Sequence, residues 1–103
     1  MKISILGGLV AAVMMTAAVP AVAGPIESAC LRSDRKQANR QVCGCIQQVA
    51  DMTLRGADQR RAASFFRDPE KAQKVKMSKT ASDDAFWDRY QAFGEQAEAF
   101  CAY

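Results

Sequence analysis

The residues best suited to chemistry are four cysteines, Cys30, Cys43, Cys45 and Cys101, in a chain of 103 residues that contains no histidine. Without histidine, Ser-His-Asp and Cys-His catalysis, histidine-ligated metal and c-type haem attachment are excluded. An even number of cysteines in a small exported chain is the pattern of a two-disulfide framework, which four cysteines can close in three ways. Cys43 and Cys45 are two residues apart, so on a helix they point about 200° from each other, and a bond between them requires breaking the helix.

Ala38, Val42, Cys45, Ile46, Val49 and Met52 recur at helical spacing, which puts Cys45 in an apolar stripe and Cys43 off it. Cys101 lies on the apolar face of the last expected helix, making Cys45–Cys101 the natural core staple. If the first firm helix opens at Asp34, Cys45 sits roughly 16 Å along it, whereas the four steps back to Cys30 span at most about 13–14 Å. The expected pairs are therefore Cys30–Cys43 and Cys45–Cys101. A later helix start leaves the swapped pairing open.

The rival reading makes Cys43-Gly44-Cys45 a thiol-disulfide redox site, with Arg40 nearby to stabilise a thiolate. Against it stand two further cysteines that need partners and the lack of a thioredoxin C-x-x-C in a βαβ context. A four-cysteine zinc site lacks the usual paired C-x-x-C spacing. No metal, cofactor or enzymatic activity is expected.

The elements that must position these cysteines follow an export segment. Met1-Lys2 gives a positive start, Ile3 to Met15 is uncharged, and Ala21-Val22-Ala23 forms an A-x-A site that places signal-peptide cleavage between Ala23 and Gly24. The apolar run is shorter than the roughly 20 residues of a membrane span. The expected product is one domain, residues 24–103, in the periplasm or secreted, with no transmembrane segment after cleavage. The net charge of the whole chain is only +3, and nucleic acid is a poor partner for an exported chain. A domain this small buries only about 60% of its unfolded surface and is marginal without a staple.

Helix formers dominate and no stretch alternates apolar and polar residues, so the fold class is all-α: three to four short helices stapled by two disulfides. Residues 24–33 read as an opening segment with at most one helical turn. Asp34 with Gln37 forms a capping box for the first helix, and Gly56 ends it. Asp58 caps a second helix that stops at Arg67, Asp68-Pro69 starts a weak third helix over 69–77, and Ser82-Asp83-Asp84 starts the last. In that helix Phe86, Tyr90, Phe93, Ala97, Phe100 and Cys101 form an apolar stripe, with Trp87 at its edge, which reads as helix core. Basic residues collect at Arg32, Lys36 and Arg40, which fall on one face if a single helix carries them, and at Lys71, Lys74, Lys76 and Lys79. Such faces suit an anionic envelope component.

The strings Ala29-Cys30-Leu31-Arg32-Ser33, Asn39-Arg40 with Cys43-Gly44-Cys45-Ile46-Gln47-Gln48, Asp58-Gln59-Arg60-Arg61-Ala62-Ala63, Lys71-Ala72-Gln73 with Met77-Ser78-Lys79, and Asp84-Ala85-Phe86-Trp87 carry a resemblance. They resemble a family of small exported proteins of marine and related α-proteobacteria, many of which bear the automatic label "arginine transporter". The resemblance spans nearly all of the chain after the signal and all four cysteines. It implies export and the cysteine pattern, and supplies no catalytic residues. The functional expectation is a non-enzymatic binding or envelope-accessory protein whose partner is an anionic envelope component or another periplasmic protein. A redox protein using Cys43 and Cys45 and an accessory of arginine transport are the alternatives.

Overall fold

The computed structural model describes residues 24–101, and the export segment 1–23 read from the sequence lies outside them. Five helices follow one another: α1 (Pro25–Arg32), α2 (Arg40–Thr53), α3 (Gly56–Arg67), α4 (Pro69–Met77) and α5 (Ala81–Phe100). No strand occurs among the described residues. α1 lies against α2 and α3, while α5 packs on α2 and α4 and touches α3.

α1 is a full helix where the sequence reading allowed a single turn. Pro25 presets its first turn, but its N-cap Gly24 has no side chain with which to satisfy the free N–H groups. Gln47 of α2 does so from across the interface, its Oε1 accepting from Glu27 N at 2.9 Å. The glycine is what permits this approach, since a Cβ at position 24 would lie within 2.3 Å of the Gln47 side chain. Gln47 Nε2 donates to Asp51 Oδ1 and Gln59 Oε1, both at 2.8 Å. Gln59 Nε2 in turn donates to Asp51 Oδ1 and to the carbonyl of Leu54, the C-cap of α2. Both glutamines are only 7% exposed, and no buried side-chain polar atom among the described residues lacks a partner. This network joins the start of α1 to the turn between α2 and α3.

The first firm helix begins at Arg40 rather than Asp34. Asn39 caps it, its side chain accepting from Val42 N at 2.9 Å. Residues 34–39 offer only Ala38 to bury, and the chain needs those residues to reverse between α1 and α2. Gly56 opens α3 instead of closing α2, which ends at Thr53 with Leu54 buried behind it. Asp58 lies in the first turn of α3 and makes no cap; its carboxylate grips Arg89 of α5 through two hydrogen bonds of 2.7 and 3.2 Å. α4 occupies the expected residues, capped by Asp68 through Glu70 N. Thr80, not Ser82, caps α5 by accepting from Asp83 N.

The core holds Ile26, Ile46, Val49, Leu54, Phe65, Val75, Phe86 and Phe93 with three of the four cysteines. Phe65 meets Phe86 and Tyr90 edge-on, and Tyr90 also stacks on Phe86, so the aromatic stripe of α5 is core as expected. Its exception is Phe100, 71% exposed beyond the edge of the bundle.

Replacing Gly24 with alanine forces Gln47 out of its network and should cost about 1–3 kcal/mol in thermal unfolding. Combined with Gln47→Ala the penalty should fall well short of the sum, because the collision and the cap are then both gone. A second expectation concerns Asp83, which pairs with Arg61 at 2.6 Å. The Ser78 hydroxyl, then the Arg61 guanidinium, hold its carboxyl below the ordinary value of 3.8. A lowered folded-state pKa contributes stability above that ordinary value and loses it as pH falls through the folded value. The melting temperatures of the wild type and Asp83→Asn should therefore differ at neutral pH and draw together as the pH falls below the ordinary value. A gap that stays equal would rule out the ionised carboxylate.

Candidate functional site

The amino-terminal half of α2 carries two cysteines on opposite flanks. Cys43 is bonded to Cys30 in the last turns of α1, with Cα atoms 5.6 Å apart, and Cys45 to Cys101 at the end of α5, 5.8 Å apart. This is the expected pairing, reached for a different reason. With α2 starting at Arg40, Cys45 is only about 7.5 Å along it, so reach does not decide. Direction does, because Cys43 faces α1 and Cys45 faces α5.

The burial of the two is the reverse of the stripe reading. Cys43 is fully enclosed and Cys45 half-buried. The buried face of α2 runs through Cys43, Ile46, Gln47, Val49 and Ala50, while Met52 is 71% exposed and Val42 half-buried. The covering element on the Cys43 flank is α1, which the sequence reading had reduced to one turn. All four cysteines are bonded, and Cys43 and Cys45 hold different partners, so the Cys43-Gly44-Cys45 turn presents no thiol and no short-loop disulfide. No group of histidine, cysteine or acidic side chains among the described residues is arranged to hold a metal ion.

Arg32, Lys36 and Arg40 do not share a helical face. Arg32 ends α1, Lys36 lies in the turn of the connection, and Arg40 opens α2. The break in the helix at 33–39 destroys the spacing on which that face relied. Arg32 instead joins two arginines that the sequence reading had not singled out. Pro25, Ser28, Ala29 and Arg32 of α1 face Arg60, Ala63 and Arg67 of α3 across a groove of about 310 Å³. Its floor is small side chains and its rim is three guanidiniums. The signal was present as Arg60 and Arg67, seven residues apart and so on one face of α3, but it needs α1 opposite to make a groove.

Three other arginines of the bundle are engaged, whereas Arg40 and Arg55 are exposed without a charged partner among the described residues. Arg61 pairs with Asp83 and lies 4.6 Å from the centroid of the Phe86 ring, Arg89 grips Asp58, and Arg35 sits 5.2 Å from the centroid of Phe66. No acidic residue lines the groove, and none of Arg32, Arg60 and Arg67 is ion-paired. Lys71 and Lys74 border a separate depression beside Arg61, and Lys76 and Lys79 are exposed on α4 and just beyond it.

Fold and site thus define a small all-α domain held by two disulfides and bearing a groove lined by three arginines. Comparison of the chain with protein-family models, with curated proteins and with solved structures finds no match. No helix among the described residues is long and apolar enough to cross a membrane.

The Cys45–Cys101 bond closes a separation of 56 residues, so it should constrain the unfolded chain more than Cys30–Cys43, which closes 13. Cys45→Ser with Cys101→Ser should lower unfolding free energy by about 2–5 kcal/mol, measured by denaturant titration. Digestion without reductant should yield peptides linked 30–43 and 45–101. A 43–45 link would overturn the arrangement.

Proposed function

We propose that this protein is a non-enzymatic binding protein of an extracytoplasmic compartment, and that the groove between α1 and α3 takes a phosphate-bearing component of the cell envelope. Two disulfides in a domain this small are characteristic of an oxidising compartment. The observation that carries the reading is the contrast among arginines. Arg61, Arg89 and Arg35 are paired or lie over a ring, while Arg32, Arg60 and Arg67 line one groove that has no carboxylate in its lining. Guanidiniums match the geometry of phosphate through paired N–H donors, and three of them around small side chains leave the approach unobstructed. Lys36 and Arg40 add to the surrounding positive field rather than to the groove.

The chemistry fits a phosphate presented by a lipid surface or by a polysaccharide, and two arms separate these sources. Co-sedimentation with phosphatidylglycerol vesicles at about 0.01 M salt should show binding that disappears near 1 M, where screening shortens to about 3 Å. Soluble phosphorylated lipopolysaccharide core should compete if the polysaccharide is recognised and not if the lipid surface is needed. Near an anionic surface each basic residue contributes about 1 kcal/mol. Arg32→Ala, Arg60→Ala and Arg67→Ala together should therefore weaken association about 100-fold while the helical signal is unchanged. Binding that survives the triple change, or no binding by the wild type, would make these arginines an ordinary solvated surface.

A further inference from the structure

A second cavity has a different character. It is bounded by the 33–39 connection, α2 and α5, with Cys30 of α1 and Phe66 of α3 at its wall, has a volume of about 260 Å³, and its apolar lining includes Val42, Ile46, Phe93 and Ala97. Two features of this cleft set it apart. The first is Gly94, in the interior of α5, where glycine is disfavoured relative to alanine. Its backbone is not left-handed, and a Cβ built on it would meet nothing within 4 Å. Neither turn nor packing asks for glycine there; the effect of the missing side chain is to keep the cleft open.

The second feature is the pair of charges at its rim, Arg35 from the connection and Glu98 from α5. They border one small cavity, yet they are not paired with each other or with any other charge. The Arg35 guanidinium lies over the Phe66 ring, 5.2 Å from its centroid, and none of its N–H donors is engaged by another described side chain. An apolar floor with a few convergent polar groups is the usual make-up of a small-molecule site, and this one is smaller than those that take drug-sized ligands.

We propose that the cleft binds a small zwitterion with an apolar side chain, of the size and chemistry of a branched aliphatic α-amino acid. Its carboxylate meets Arg35, its ammonium meets Glu98, and its side chain lies on the Val42, Ile46 and Phe93 floor beside Gly94. This site is separate from the arginine groove and stands or falls independently of it.

The test is a titration of the isotopically labelled protein with L-leucine, followed by amide chemical shifts. Saturating shifts should centre on Gly94, Val42 and Ala97. The two halves of the ligand, 4-methylpentanoate without the amine and 3-methylbutylamine without the carboxylate, should each bind about tenfold more weakly, a loss of one charge-assisted contact. Gly94→Leu should fill the cleft and abolish the shifts without lowering the melting temperature. Glu98→Gln, an exposed substitution that leaves the fold intact, should reduce leucine to the affinity of 4-methylpentanoate. Changing Arg32, Arg60 and Arg67 should leave leucine binding as it is. Absence of saturating shifts at the cleft, equal affinity for leucine and its halves, or a Glu98→Gln protein that titrates like the wild type would each overturn the proposal.

Discussion

Two residues of separation on a helix send side chains to opposite flanks, and the architecture depends on that constraint. Cys43 and Cys45 cannot bond to one another without undoing α2, so each reaches outward, one to α1 and one to α5. The helix between them becomes a shared wall to which the first and last helices of the bundle are covalently attached. In a domain this small, with a core of few large side chains, that attachment does what a larger hydrophobic interior does elsewhere. The paired positions also explain why the cysteine-rich turn is a structural joint.

The polar interior makes the same junction from the other end of α2. Gln47 and Gln59 are buried with every amide atom engaged, and they close the first turn of α1 and the last carbonyls of α2 in one network. Such a network favours one arrangement of three helices, since a shift of any of them strands a buried donor or acceptor. The ion pairs at Arg61–Asp83 and Arg89–Asp58 then tie α3 to α5 at the surface. The arginine groove differs from this paired surface in that three arginines line it with no carboxylate among its lining residues.

Much of this was legible in residue order. The all-helical class, the aromatic stripe of α5, the bounds of α4 and the cysteine pairing all follow from periodicity, caps and direction. Much of what escaped traces to α1. Its N-cap is a glycine and its capping group comes from Gln47, more than 20 positions away, so no local signal marks the helix start. With α1 reduced to a turn, the Cys43 flank of α2 had no cover and the stripe was drawn one face too far round. The apparent capping box at Asp34 and Gln37 then extended α2 backwards through a connection that must bend. The arginine groove was hidden for the same reason, because half of it belongs to α1.

The pairing has a consequence for the order in which the domain matures. However the chain emerges, Cys30, Cys43 and Cys45 lie close together in sequence, whereas Cys101 trails Cys45 by 56 residues. Until α5 docks, one of the three is surplus, and an oxidase acting at once has even access to right and wrong pairs. Docking of α1 on α2 through Gln47 brings Cys30 and Cys43 together locally and leaves Cys45 as the thiol that waits. The non-covalent contacts of α1 thus favour the Cys30–Cys43 pair, and Cys45 finds its partner only when α5 is in place.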